Sequence, residues 1–244
     1  MIDIRMFKKM NLKGFTFIEG FPGVGLVGPM AISYIIDKLG MAYAGYVDSH
    51  DFPPLVSIHK NTPMPPIRVY VNEKSKIATI FAEFAIPLEL TREMADAVYS
   101  MITATGMSRI FSIGGMPIQN AQADIYAIAS APSLLKEAQK AGLKPIGEGV
   151  ATGVSALLLA RSTIDGLPDT NIMVPIEQAI INPKYAKSAI ESLKKLMKLS
   201  IDTSDLDKEA KLVEEKIREI IKKHAESHDT YKKTVEGTGP SMYA

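Results

Sequence analysis

Hydrophobic and polar positions along the chain switch repeatedly between a period of two and a period near 3.6. Residues 15–19 are a short apolar run rich in strand formers, followed by the loop Gly20-Phe21-Pro22-Gly23-Val24-Gly25. Residues 30–39 then carry a helical pattern that stops at Gly40. Residues 41–47 read as the next strand. The proline groups Phe52-Pro53-Pro54 and Pro63-Met64-Pro65-Pro66 bracket residues 55–59, with another strand pattern at 67–72. Proline cannot donate to a strand ladder, so these groups belong at edges and turns. Residues 76–85 are strand-like again. A helix is predicted over 91–105, with Glu93 favourable to the dipole in its first turn and Gly106 as its stop.

The second half repeats the scheme. Residues 109–113 form a buried-strand pattern running into Gly114-Gly115-Met116-Pro117, and 126–129 another, before a helix over 133–141. Gly147-Glu148-Gly149-Val150 leads to an apolar helix over 154–161, residues 171–174 read as a late strand, and Pro183 opens an amphipathic helix to residue 199. Such alternation predicts an α/β fold of three layers, a mostly parallel sheet with helices on both faces, over residues 1–200. No internal repeat of solenoid length is present.

Beyond the turn-like Ile201-Asp202-Thr203-Ser204 the composition shifts. Residues 201–229 are expected to form a charged amphipathic helix, with Leu206, Ala210, Val213, Ile217, Ile220 and His224 spaced as a heptad seam. The same spacing serves a helix packed back on its own domain, and both readings stay open. Residues 230–244 have little apolar content and are expected to be a flexible tail.

Composition narrows the function classes. With 46% hydrophobic and 23% charged residues the bulk of the chain is expected to fold, far from the signature of disorder. Twenty-eight basic residues against 27 acidic leave a net charge of +1, so nothing in the overall field recruits nucleic acid or an anionic membrane. The absence of cysteine removes disulfides, thiolate nucleophiles and Cys-based metal sites. Met1-Ile2-Asp3-Ile4-Arg5 lacks the basic and apolar regions of a signal peptide, and no apolar run reaches the roughly 18 residues of a membrane span. A cytoplasmic protein is expected. The 13 methionines suit core filling, and some suit a subunit interface.

Gly23-Val24-Gly25-Leu26-Val27-Gly28 matches G-x-G-x-x-G between a strand and a helix, and Asp48 closes the next strand. As a phosphate site, Gly23, Gly25 and Gly28 would bring backbone N–H groups to a pyrophosphate and Asp48 would accept from a ribose hydroxyl. The other reading is a tight strand-to-helix crossover. Pro22 and Pro29 favour the crossover, because a proline has no N–H to offer a phosphate. No catalytic constellation emerges. Ser49 and His50 are adjacent and point to opposite faces of an extended segment. Gly153-Val154-Ser155-Ala156-Leu157 breaks the nucleophile-elbow pattern at its last position. Glu83, Glu148 and Glu177 stand near strand or loop ends with no visible partner carboxylate. His224 and His228 are four apart but lack a third ligand, so no metal and no cofactor is expected.

The sequence finishes Met242-Tyr243-Ala244: hydrophobic, tyrosine, any residue. Such an ending offers a carboxylate and an amphipathic ring to a pocket.

The stretch Phe17-Ile18-Glu19-Gly20-Phe21-Pro22-Gly23-Val24-Gly25-Leu26-Val27-Gly28 resembles the N-terminal signature of the archaeal proteasome assembly chaperone family. Asp51-Phe52-Pro53-Pro54, Gly114-Gly115-Met116-Pro117 and Gly147-Glu148-Gly149-Val150-Ala151-Thr152-Gly153 are similar to that family's other recurrent segments, and together they span residues 12–200. The resemblance implies a nucleoside phosphorylase-like α/β core without that class's catalytic set, a glycine loop that is not a dinucleotide site, and homo-oligomerisation. It further implies docking into pockets between adjacent α subunits of the 20S proteasome, to help assembly or to open the gate without ATP. Met242 would fill the apolar part of the pocket, Tyr243 would contact the gating segment, and the Ala244 carboxylate would pair with a pocket lysine.

Overall fold

The computed structural model of the chain describes residues 1–59, 61–118, 124–177 and 181–206. The first half of the element order is β1 (Asp3–Met6), β2 (Thr16–Glu19), α1 (Val27–Lys38), β3 (Ala42–Asp48), β4 (Ser57–His59), β5 (Thr62–Met64), β6 (Ile67–Asn72), β7 (Ile77–Ala82) and α2 (Thr91–Thr105). The second half is β8 (Arg109–Pro117), β9 (Tyr126–Ala129), α3 (Pro132–Lys140), β10 (Lys144–Pro145), α4 (Val154–Asp165), β11 (Asp169–Ile176) and α5 (Pro183–Met197).

Among the described residues nine strands make one sheet in the order β1-β3-β6-β7-β2-β8-β11-β9-β10, and β4 pairs with β5 as a separate hairpin. The centre is parallel: β2 lies between β7 and β8, and β8 pairs with β11. The flanks are mixed, because β6 opposes both of its neighbours, β1 opposes β3 and β9 opposes β11. Counted through these pairings, β3, β7, β2, β8 and β11 run one way and the other four run back.

Side chains on a strand alternate between the two faces, and here both faces are covered. Ile77 and Phe81 of β7 join Ile18, Phe111, Ile172 and Val174 under α1 and α5. Ala78, Ile80 and Ala82 join Phe17 and Ile110 under α2 and α4. This is the expected three-layer arrangement. Each large side chain so buried contributes about 1.5–3 kcal/mol. Helix ends follow local chemistry: α2 stops where Gly106 takes φ 77°, and at α5 the Asn182 side chain accepts the Lys184 N–H at 3.0 Å just ahead of the helix.

Three elements add to the sequence expectation. β1 is an edge strand of four residues, β5 forms within the proline-rich segment, and β10 has two residues. The folded unit also runs past residue 200. Ile201 and Leu206 are buried in the α1/α5 layer, and the Tyr34 hydroxyl donates to the Asp202 carbonyl at 2.7 Å. Leu206, the first position of the heptad seam, is therefore core. The rest of the expected helix over 201–229 and the tail 230–244 lie outside the described residues.

Candidate functional site

Met242, Tyr243 and Ala244 lie outside the described residues, as do His224 and His228. The glycine loop and Asp48 are described, and their geometry separates the two readings of the motif. Strand β2 leads into Gly20, whose backbone meets Gly28 in the first turn of α1. A Cβ on either residue would come within 2.7 Å of the other's backbone. Gly25 takes φ 70°, and a Cβ there would lie 2.9 Å from the Ile176 side chain. A Cβ on Gly115 of β8 would stand 2.2 Å from the Val24 carbonyl oxygen, so that carbonyl rests directly on the sheet. The glycines thus serve the protein's own close packing. Pro29 removes one N–H from the first turn of α1, and the Leu26 N–H is used by the Gly23 carbonyl at 3.1 Å.

Asp48 does not meet the loop. It is exposed at the end of β3, in register with Asp3, and β6 and β7 intervene between β3 and β2. Three strand spacings of about 4.8 Å each put it well beyond a ribose bound at Gly23 to Gly28. The geometry supports the crossover reading.

A polar row lies under α4. Glu19, Ser112 and Asn171 are register partners on the adjacent strands β2, β8 and β11, and all three are buried. Asp169, two residues before Asn171 on the same face, is buried as well. Glu19 Oε2 accepts the Phe21 N–H at 3.1 Å. Glu19 Oε1, Ser112 Oγ, Asn171 Oδ1 and both carboxyl oxygens of Asp169 have no protein hydrogen-bond partner of good geometry. Burial raises the Glu19 carboxyl above the usual range, opposed by the nearby hydroxyls of Ser112 and Ser155 and by the Phe21 N–H. Burial, and secondarily the neighbouring Glu19, push Asp169 up to about 8, with Ser162 pulling the other way. The row thus buries two carboxyls, and burial biases both towards their protonated form. Among the described residues no group of three or more His, Asp or Glu converges as a metal site.

The second buried polar cluster fastens the β4–β5 hairpin. Glu83, just after β7, accepts Arg68 Nη2 at 2.6 Å, lies 2.7 Å from His59 Nε2, and also accepts from Ser57 Oγ. Arg68 completes its set with the Pro65 carbonyl at 2.8 Å and the Tyr70 hydroxyl at 2.9 Å. Both Glu83 oxygens and all three Arg68 nitrogens are engaged within the protein, so the cluster acts as a clamp on the hairpin. Its consequence is an inside-out strand. Ser57 and His59 face inward on β4, while Val56 and Ile58, one residue out of phase, are exposed. Sequence reading singled out Glu83 without a partner. Period two from Ser57 to His59 was the available signal.

The remaining candidates stay apart. Ser49 Oγ accepts the Asp51 N–H at 3.2 Å in a local turn, and Glu148 and Glu177 are exposed on different loops. No helix among the described residues is long and apolar enough to cross a membrane.

This geometry has close counterparts. Pyrococcus furiosus PbaA, an archaeal homolog of proteasome-assembly chaperone, superposes with a TM-score of 0.82 at 28% identity, over 93% of this chain and 100% of PbaA. Pyrococcus furiosus PbaB, an archaeal proteasome activator, shares the fold with a TM-score of 0.75 at 22% identity, covering 90% of this chain and 98% of PbaB. An uncharacterised protein of Methanocaldococcus jannaschii is 26% identical over 227 residues, 92% of this chain and 94% of that protein. The PAC2 family pattern matches residues 17–221, the greater part of the sequence, from within β2 through α5. With the glycine crossover, the mixed sheet and the sequence pattern in agreement, the chain belongs to the PAC2 family.

Proposed function

We propose that the chain is a non-catalytic proteasome assembly chaperone or ATP-independent proteasome activator, acting in the cytoplasm as a homo-oligomer. The observation that carries this reading is the likeness to PbaA along essentially the whole of both chains. The local chemistry supports it. The glycine loop is filled by the chain's own packing, the hairpin clamp engages both oxygens of Glu83 within the protein, and the polar row under α4 is closed off from solvent.

In this proposal the ending Met242-Tyr243-Ala244 docks into pockets between adjacent α subunits of the 20S proteasome. Met242 supplies apolar contact, Tyr243 a rigid ring with a hydroxyl, and Ala244 a carboxylate for a pocket lysine. One such contact is weak. Several carried by one oligomer gain avidity, provided each reaches its pocket.

The test is native-gel binding to purified archaeal 20S proteasome together with peptide hydrolysis, for the full-length protein and its Tyr243→Ala variant. Binding by the wild type that the variant loses is the expected result, and a rise in hydrolysis lost in parallel assigns gate opening. Undiminished binding by the variant refutes tail docking.

A further inference from the structure

The polar row under α4 holds more acceptors than donors. Glu19, Ser112 and Asn171 are register partners on β2, β8 and β11, so their side chains leave the same face of the sheet next to one another. Phe17 and Ile110, two residues before Glu19 and Ser112, lie in the core layer of α2 and α4 and fix which face this is. All three side chains belong to residues 2% exposed or less, and Glu19 Oε1, Ser112 Oγ and Asn171 Oδ1 have no protein hydrogen-bond partner of good geometry. Asn171 Nδ2 donates to the Ser155 carbonyl in the first turn of α4 at 3.5 Å, which leaves Oδ1 as the free end of that amide. The Ser112 and Ser155 hydroxyls lie near enough to Glu19 to favour its ionised form.

A hydroxyl has a single proton to give, whereas a carboxylate offers about four lone-pair sites. The backbone supplies Glu19 with the Phe21 N–H at 3.1 Å, and among the described residues no basic side chain pairs with it. Spare oxygen acceptors around one buried anion are the surroundings of a hard cation. Strand geometry gives its size. Neighbouring strands stand about 4.8 Å apart, so an ion held between side chains of adjacent strands is about 2.4 Å from each. Ca2+ meets oxygen at about 2.3–2.6 Å, and Na+ is an ion of the same size. Charge selects between the two. The row brings a single carboxylate with neutral oxygens, and calcium affinity depends on the number of charged ligands. Asp169 does not add a second one at this level, because it lies two residues back along β11, about 6.6 Å from Asn171.

We propose that Glu19, Ser112 and Asn171, with the first turn of α4 at Ser155, bind a monovalent cation of Na+ size. The ion neutralises Glu19 and ties three adjacent central strands to the start of α4. Gly114 and Met173, the next register partners along the same face, are half-buried, as is Ser155. The Met173 sulfur lies 3.6 Å from where a Cβ on Gly114 would stand, so a flexible thioether covers the row on that side and its movement lets the ion exchange. The site is independent of proteasome docking. The competing arrangement is a proton on Glu19, which calls for no sodium.

The experiment unfolds the full-length chain and its Glu19→Gln and Ser112→Ala variants with urea, at one pH, in sodium chloride and in tetramethylammonium chloride of equal ionic strength. The larger organic cation cannot enter the row. The wild-type midpoint should be higher in sodium and climb with the logarithm of its concentration, as for any ligand of the folded state. Glu19→Gln keeps the shape and an acceptor for the Phe21 N–H, and should have the same midpoint in both salts. Ser112→Ala should need more sodium for the same gain. Relaxation of the sodium nucleus reads binding without unfolding, and should be faster with wild type than with Glu19→Gln at equal protein concentration. Equal wild-type midpoints in the two salts, a sodium gain that Glu19→Gln retains, or equal sodium relaxation with the two proteins would each overturn the site.

Discussion

Asp169 gives the sharpest test of the polar row. Its carboxyl is fully buried at the start of β11 beneath α4, faces Ser162, and stands near the second buried carboxyl, Glu19. Among the described residues neither carboxyl forms an ion pair. A carboxyl of ordinary value 3.8 that ionises only at about 8 binds its proton more tightly in the folded state than in the unfolded one. The raised value fixes the sign: the folded protein is favoured fully below about pH 4, and the advantage is lost as pH rises towards 8. At about 1.36 kcal/mol per tenfold change in the proton equilibrium, wild type should lose on the order of 4 kcal/mol between pH 4 and 7 from this residue alone. Relaxation and water entry into the interface reduce that figure, so it is a ceiling. The assay is urea denaturation from pH 4 to 8.5 for wild type and Asp169→Asn. The amide has nearly the same shape and no charge, and the backbone N–H of residue 169, which donates to Ser130 at 3.0 Å, is untouched. The difference between the two curves removes every other titrating group. It should grow steadily in favour of the variant from pH 4 to 8. Parallel curves would refute the reasoning and show that Asp169 meets water or a cation in solution.

Two further substitutions probe the packing. Gly28→Ala places a Cβ 2.7 Å from the Gly20 backbone, with no flexible side chain to yield, and should cost about 1–3 kcal/mol or more as a fall in denaturation midpoint. An unchanged midpoint would mean that the crossover tolerates a looser fit than its geometry indicates. Glu83→Gln leaves the buried Arg68 without its anion and should cost about 3–5 kcal/mol. It should also free the β4–β5 hairpin, read as faster limited proteolysis within residues 55–66, and cutting no faster than in wild type would show that the hairpin is held by other contacts.

What could be read from the sequence depended on how local the signal was. The helix over 91–105 and the strands over 67–72 and 126–129 appear with the expected bounds, because their periodicity and stop signals lie within the segment. β1 was missed because four alternating residues do not make a period, and only pairing with β3 turns Ile4 and Met6 into a strand. Asp169 fell outside the expected strand over 171–174 because a polar start, Asp169-Thr170-Asn171, does not look like buried sheet, yet all three are buried. Glu19 was visible as one acid in an apolar run, but its neighbours Ser112 and Asn171 come from strands about 90 and 150 residues away. The distance of Asp48 from the glycine loop is likewise a fact of strand order. The motif reading assumed that the strand after the loop lies beside it, whereas two other strands occupy that place.

The proposed docking also separates from folding. Leu206 is buried with α1 and α5 on one face of the sheet, so the folded unit reaches at least to that residue, and Met242-Tyr243-Ala244 follow much further along the chain. If those three residues carry the docking, Tyr243→Ala should abolish binding to the 20S particle and leave the urea denaturation midpoint where it is in wild type, because no residue of the described core is altered. A midpoint that falls together with the binding would contradict that separation of docking from folding.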